Sequence, residues 1–149
     1  MLSIRNYSED DQDAVIQLWK DCALLVPWNN PFTDIENKMK DSPELFFVAL
    51  HEQTLVGSCM AGYDGHRGWV YYMAVAKQHR GQGVARRLLE EAEAKLTALG
   101  CAKLELMVRK SNRRVIDTYR ALGFREEEVS VLSKRLIEHS AYDLEKDDS

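Results

Sequence analysis

The feature that most constrains this fold is an apolar strand followed directly by a glycine turn and a long amphipathic helix. Residues 69–75 read WVYYMAV, without a charge and without polar alternation. Such a run, rich in aromatic and β-branched residues, predicts a central strand buried on both faces. Gly81 and Gly83 predict a tight turn, and apolar residues then recur at helical spacing from residue 84 to Gly100. This unit is expected to lie at the centre of the domain.

The remaining segments predict an α+β domain with a mixed, mostly antiparallel central sheet flanked by helices. Further short apolar runs bounded by turn residues predict strands at residues 4–7, 45–50, 55–63 and 103–108, and a final hairpin from 124–126 and 129–132. Amphipathic spacing predicts one helix that starts at Ser8 and three more that cover about residues 33–40, 84–99 and 112–122. Ser8 with Asp11 imitates a capping box at the first of these.

The chain has 149 residues, enough for one domain with its own core. We predict a single domain over residues 1–140 and a polar, acidic tail over 141–149. The longest apolar runs are far shorter than the roughly 20 residues of a membrane-spanning helix. The first residues lack the apolar stretch of a secretory signal. We therefore expect a cytoplasmic protein without a membrane partner.

The three cysteines, Cys22, Cys59 and Cys101, stand singly inside apolar segments. No CxxC pair and no His/Cys cluster occurs in the sequence. This pattern predicts small buried side chains, without disulfides and without a metal site.

Charge is unevenly distributed along the chain. Residues 76–120 hold 11 Lys and Arg against 5 Asp and Glu, whereas the rest holds 9 against 19. A positive segment in an acidic protein favours a local polyanion site such as nucleotide phosphates, and the acidic remainder favours a cationic partner. A solvated basic helix face is the competing interpretation. The acidic total and the lack of a nucleic-acid-binding module argue against a nucleic-acid partner.

The sharpest local motif is residues 78–85, QHRGQGVA, between the predicted buried strand and the long helix. Gly81 and Gly83 allow successive main-chain N–H groups to turn toward one anion, and the helix start adds partial positive charge. A P-loop would need Gly-Lys-Ser/Thr, and a dinucleotide-binding turn would need a small residue where Arg86 stands. A plain tight turn into a helix remains the alternative.

A second motif combines Asn112, Tyr119 and the pair Gly123-Phe124. Seven residues are about two helical turns, so Asn112 and Tyr119 share one helix face. A phenol on that face can donate a proton. The alternative is a core tyrosine that packs the helix on the sheet.

In this order, the two motifs resemble those of the GNAT superfamily of N-acetyltransferases, nearest to its ribosomal-protein and N-terminal acetyltransferase branch. The resemblance implies acetyl-CoA as donor, with Tyr119 protonating the departing CoA thiolate. It also implies that Arg80, helped by Arg86 or Arg87, binds the phosphates. Main-chain groups near Val75 would polarise the thioester carbonyl. The implied CoA-binding residues are Met73, Ala74, Val75, Gln78, Arg80, Gly81, Gln82, Gly83, Val84 and Asn112.

The sequence departs from that branch at the position of the general base. Met107 stands where the branch carries a glutamate, so Glu105, on the same strand face, is ranked first as a base acting through water. The competing interpretation pairs Glu105 with Lys103 or Arg109. Tyr63, His66, Tyr71 and Tyr72 are lesser choices for the base.

The predicted activity is direct transfer of an acetyl group from acetyl-CoA to a primary amine, of a small molecule or of a peptide or protein. The missing acid at Met107 favours an alternative, a non-catalytic acyl-CoA sensor, and a scaffold that binds no CoA is a third interpretation. By resemblance, residues 24–40 line the acceptor groove, with Trp28, Asn29 and Phe32 near the substrate. The resemblance is also compatible with a homodimer.

Overall fold

The computed structural model describes residues 1–137, which fold around one five-stranded sheet. In spatial order the strands are β1 (Leu2–Asn6), β2 (Phe46–His51), β3 (Thr54–Tyr63), β4 (Gly68–Val75) and β5 (Leu104–Leu106). The first four pair antiparallel, and β5 pairs parallel to β4 because a helix crosses over between them. The predicted mixed, mostly antiparallel sheet is confirmed.

Four helices flank this sheet, and they are α1 (Gln12–Asp21), α2 (Pro31–Asp41), α3 (Val84–Ala98) and α4 (Arg113–Ala121). The predicted capping box forms, with the Ser8 N–H donating to Asp11 Oδ2 at 2.9 Å, but it begins a short 3₁₀ turn that leads into α1. The start of α2 is fixed by Asn30, whose Oδ1 accepts a 2.9 Å hydrogen bond from the Phe32 N–H.

Each face of the sheet carries its own apolar core. On one face, Leu88 and Leu96 of α3 pack against Phe47 of β2, and all three are at most 2% exposed. On the other face, Val15 and Trp19 of α1 are fully buried. The spacing that predicted one buried face for each of these helices is confirmed.

The prediction that β4 is buried on both faces is wrong at Tyr71, in the middle of the strand. Val70 is 5% exposed on the α3 side, whereas the neighbouring Tyr71, which points to the opposite face, is 46% exposed. Burial on that face is supplied chiefly by α1, which contacts β3 and β4. The side chain of Tyr71 lies beyond the area that α1 covers, so this part of the sheet face stays open.

The predicted final hairpin is also wrong, because residues 124–137 form no strand. β5 has three residues instead of the predicted six, so it offers few main-chain groups for another strand. Ion pairs engage the following segment instead, with Lys103 contacting Glu127 at 2.8 Å and Arg120 contacting Glu126 at 2.8 Å. The predicted boundary at residue 140 and the tail 141–149 lie outside the described residues.

None of the helices found within residues 1–137 combines the length and apolar content needed to cross a membrane. All three cysteines are free; Cys59 is fully buried, and Cys22 and Cys101 are half-buried.

Candidate active site

β4 and the edge strand β5 separate on the side where β4 ends. β5 pairs with β4 only at Gly68, Trp69 and Val70. The second half of β4 is hydrogen-bonded to β3 on one side, and within residues 1–137 it has no strand partner on the other. Main-chain groups of residues 73–75 are thus available to an extended ligand, which adds to a sheet edge as a strand does.

A β-bulge interrupts β4 at this point. The register between β3 and β4 shifts between Ser58 and Met60, and Tyr72 has a φ of 52°. A bulky non-glycine residue in the left-handed region is strained and persists only when its surroundings hold it there. The bulge turns the backbone of residues 72 and 73 away from the regular ladder.

The glycine loop leads from the end of β4 into α3. Gly81 and Gly83 have φ values of 78° and 82°, and a Cβ at either position would meet no atom within 4 Å. Gly83 is the residue before the helix, which therefore begins without a side-chain cap. The first N–H groups of a helix lack partners within the helix and carry its partial positive charge. Loop and helix start therefore form an open site suited to a phosphate or diphosphate.

The three arginines near this loop lie in different surroundings. The Arg80 Nε–H donates to the Val75 carbonyl at 3.1 Å, and its Nη2 lies 3.7 Å from Cys22 Sγ. Arg87 donates to the Leu2 carbonyl at 2.7 Å, on the β1 side of the sheet, whereas Arg86 is exposed. Arg80 is therefore the arginine that the structure brings to the junction of loop and strand.

The polar side chains predicted at the loop are accessible. Gln78 and Gln82 are exposed, and the Gln82 amide donates to the Gln78 carbonyl at 3.3 Å. Val84, the first residue of α3, is 3% exposed and anchors the loop to the core. Of the β4 residues, Ala74 is buried and Met73 is half-buried.

Tyr119 lies half-buried on the sheet-facing side of α4. Its ring meets Phe124 edge to face, with centroids 5.6 Å apart, and packs against the α3-side core. Burial, and to a lesser degree the nearby Cys59 thiol, raise the pKa of Tyr119, so the phenol keeps its proton at neutral pH. Asn112 is exposed where α4 starts, and its carbonyl accepts from the Ile116 N–H at 3.1 Å.

Glu105 occupies β5 directly opposite Trp69 of β4. Because Leu104 and Leu106 pack on the α3 side, alternation points Glu105 to the α1–α2 face. Its carboxylate forms an ion pair with Arg67 at 3.3 Å, neither with Lys103 nor with Arg109 as the competing interpretation held. Met107 follows the strand and is 51% exposed.

Sequence reasoning missed a polar network on that same face. The Tyr72 hydroxyl donates to Asp34 Oδ2 of α2 at 2.5 Å, and the Tyr72 ring stacks on Trp19 of α1 with centroids 3.8 Å apart. Tyr72 is among the lesser sequence-based candidates for the base, and Asp34 is not among those candidates. Because 38 residues separate the pair, no local spacing in the sequence indicates it.

Of the acceptor residues expected by resemblance, Trp28 is 53% exposed and Phe32 is 37% exposed. Asn29 lies between them in the turn before α2, where its N–H donates to the Val26 carbonyl. In the described part of the chain, no three His, Cys, Asp or Glu side chains gather as metal ligands.

Comparison with known proteins gives concordant matches. The model of a family described as the acetyltransferase (GNAT) family matches residues 9–124. An acetyltransferase of Yersinia pestis (strain Pestoides F) is 48% identical over 141 residues, which is 95% of this chain and 100% of that protein. An acetyltransferase of Pectobacterium atrosepticum matches with the same identity and coverage.

Two solved structures show the same fold. AAC(6')-Iy, in complex with a bisubstrate analog of CoA, superposes with a TM-score of 0.75 at 21% identity, covering 91% of this chain and 99% of the other. The ribosomal-protein-S18-alanine N-acetyltransferase of Escherichia coli superposes with a TM-score of 0.70 at 26% identity, covering 85% and 79%.

Proposed function

The chain belongs to the GNAT family of acetyltransferases, and on that premise we propose that it transfers an acetyl group from acetyl-CoA to a primary amine by direct attack. The observation that carries this proposal is the open glycine loop at Gly81 and Gly83, set between the unpaired end of β4 and the uncapped start of α3. A diphosphate and an extended amide chain need these two features side by side.

The chain's own groups suit each part of the donor. Main-chain N–H groups from Gly81 to Val84 would bind the pyrophosphate, and Arg80, Gln78 and Gln82 lie beside that loop. Residues 73–75 would pair with the pantetheine amides, which requires Arg80 to give up the Val75 carbonyl. Asn112, exposed at the start of α4, would donate to the pantetheine or to a water beside it.

Acetyl-CoA supplies the acyl group as a thioester, which an amine attacks without a covalent enzyme intermediate. Main-chain N–H groups beside the bulge would stabilise the charge that develops on the carbonyl oxygen. Tyr119 would donate its proton to the departing sulfur, which carries the negative charge once the C–S bond breaks. The protonated state of its hydroxyl at neutral pH supports that role.

An amine acceptor is supported by the names of the structural neighbours. One is a ribosomal-protein-S18-alanine N-acetyltransferase, and another is an aminoglycoside antibiotic 6'-N-acetyltransferase. Both names specify transfer to nitrogen. These neighbours share the fold with this chain.

Thiol release from acetyl-CoA in the presence of a broad panel of primary amines tests the proposal, with CoA affinity measured by calorimetry on the same preparation. We expect amine-dependent thiol release together with CoA binding. CoA binding without thiol release across the panel would favour the acyl-CoA sensor. Absence of CoA binding would contradict both functions and favour a scaffold.

A further inference from the structure

We propose that Asp34 is the carboxylate that takes the proton from the acceptor amine, and that Tyr72 is the positioning residue that holds it. This inference rests on the proposed acetyl transfer and answers its open question, since Met107 stands where an acid was expected. Asp34 lies in the first turn of α2, inside the segment predicted to line the acceptor groove.

The position of Asp34 is tied to the reacting segment of β4 through a single side chain. Tyr72 donates to Asp34 Oδ2 at 2.5 Å, and the residue after Tyr72 is Met73, the first of the three predicted to pair with the donor. A short bond to a carboxylate is a strong, charge-assisted one. Asp34 is half-buried, so solvent and a ligand still reach it.

The strained backbone of Tyr72 is held from three directions. Its carbonyl accepts a 2.8 Å hydrogen bond from Ser58 Oγ, which in turn accepts one of 2.9 Å from the Trp19 indole N–H. Trp19 and Ser58 are fully buried, and Trp19 also stacks on the Tyr72 ring. Such an over-determined, strained residue is typical of an active site, where the geometry is fixed before the ligand binds.

Two other carboxylates on this side of the sheet already have partners within residues 1–137. Glu105 is paired with the Arg67 guanidinium at 3.3 Å. Asp64 accepts the N–H groups of His66 and Arg67, both at 2.8 Å, and shapes the β3–β4 turn.

Among the described residues, the charged and titratable groups around Asp34 include no cation paired with it. Tyr72 faces it from β4, and Lys38, one turn further along α2, donates instead to the Ala61 carbonyl and to Ser42 Oγ. Within residues 1–137, no ion pair to Asp34 is found. An ammonium group from the acceptor is therefore the cation that suits this carboxylate.

Acid and base then lie on opposite faces of the sheet. Tyr119 packs in the α3-side core, whereas Asp34 and Tyr72 belong to the α1–α2 side, and the separated ends of β4 and β5 lie between them. An amine that approaches from the α1–α2 side attacks the thioester carbon while the sulfur leaves toward Tyr119. Direct transfer requires this arrangement of nucleophile and leaving group.

The proton balance of the step is complete. The ammonium N–H bond breaks and its proton goes to Asp34; the neutral nitrogen then forms the C–N bond, and the C–S electron pair goes to sulfur. Tyr119 supplies a proton to the sulfur and regains one from the attacking nitrogen. Asp34 releases its proton to solvent when the products leave.

The test compares Asp34→Asn and Tyr72→Phe with the wild type over a range of pH, using the best amine from the panel. Asparagine keeps an oxygen that accepts from Tyr72, and phenylalanine keeps the ring stacked on Trp19, so both variants should fold. Glu36→Gln is the matched control, because Glu36 lies on the same helix, is exposed and, within residues 1–137, is paired only with Lys40. Melting temperature and CoA affinity are measured for every variant.

We expect Asp34→Asn to lower kcat/KM about 10²-fold near neutral pH, and Tyr72→Phe to lower it by a smaller factor of about ten. The Asn variant reacts only with the small fraction of amine that is neutral. Its kcat/KM therefore rises about tenfold per pH unit below an amine pKa of about 10, and the difference from the wild type becomes smaller as the pH rises. For the same reason trifluoroethylamine, which is already neutral at neutral pH, should largely rescue the variant. A purely structural defect would do neither.

Failure of this inference and failure of the proposed function are distinguishable. An active wild type whose Asp34→Asn variant loses the same factor at every pH, or loses nothing, would overturn the role of Asp34 and leave acetyl transfer standing. The role of Asp34 is also overturned if the loss of kcat/KM that becomes smaller at high pH is found in Glu105→Gln and not in Asp34→Asn. A wild type that releases no thiol with any amine would overturn the proposed function, and this inference with it.

Discussion

The two ends of α3 offer a matched test of the phosphate site. Gly83 precedes the helix with a φ of 82°, and Gly100 follows it with a φ of 90°. A Cβ at either position would meet no atom within 4 Å, so both valine side chains start in open space. Gly83→Val and Gly100→Val therefore impose the same kind of backbone strain at opposite ends of one helix.

The expected losses of stability are similar, and the expected losses of affinity are not. Left-handed backbone costs a non-glycine residue about 1–2 kcal/mol, so both variants should be destabilised by at least that amount. Only at Gly83 would the new side chain occupy the space into which the loop N–H groups point. Loss of two hydrogen bonds to a charged ligand, each contributing about 1.5–3 kcal/mol, lowers affinity by about 10²–10⁴-fold.

Calorimetry with CoA measures the affinity, and chemical denaturation measures the stability of the two variants. We expect CoA binding to be weakened by the stated factor in Gly83→Val and to be close to wild type in Gly100→Val. If both variants fold and their CoA affinities agree within about threefold, the glycine loop does not bind the diphosphate and the assignment of residues 78–84 is wrong.

Three further outcomes are expected. Tyr119→Phe should lower kcat about 10²-fold with CoA affinity almost unchanged. If the variant keeps the wild-type kcat in assays of thiol release, Tyr119 is not the general acid. Leu88→Ala, at a fully buried position, should lower the free energy of unfolding by about 2–5 kcal/mol in urea, against about 0.5 kcal/mol for Leu99→Ala at a 54% exposed position. Hydrogen bonds from the Arg5 guanidinium hold the pKa of Asp11 below its ordinary 3.8, so the pair stabilises the fold above that pH and loses its effect as the pH falls through the Asp11 pKa. In Asp11→Asn, the free energy of unfolding should fall less steeply as the pH is lowered. If its dependence on pH in acid is the same as in the wild type, the pair contributes nothing to stability.

Most elements of the fold could be predicted because their signals are local. The apolar runs that predicted the strands and the helical spacing of Leu88 and Leu96 are properties of neighbouring residues, and the structure confirms them. Membership of the family was likewise indicated by two short motifs in the correct order, and the matches with known acetyltransferases confirm it.

The errors of prediction arose where distant groups compete. Residues 124–132 have apolar positions suited to a hairpin, but Glu126 and Glu127 engage Arg120 and Lys103, and β5 is too short to template another strand. Likewise the apolar character of 69–75 predicted burial on both faces, yet Tyr71 stands outside the area that α1 covers. Neither ion-pair partners nor the extent of a covering helix can be deduced from a run of residues.

The sequence by itself determined the strands, the helices and the glycine loop, because backbone preference and side-chain periodicity act over a few residues. Only the tertiary structure decided which partner each carboxylate takes, since Arg67 reaches Glu105 and Tyr72 reaches Asp34 across different elements. Electrostatic and hydrogen-bonding partners are chosen by distance in space, and the same fold that separates β4 from β5 sets those distances.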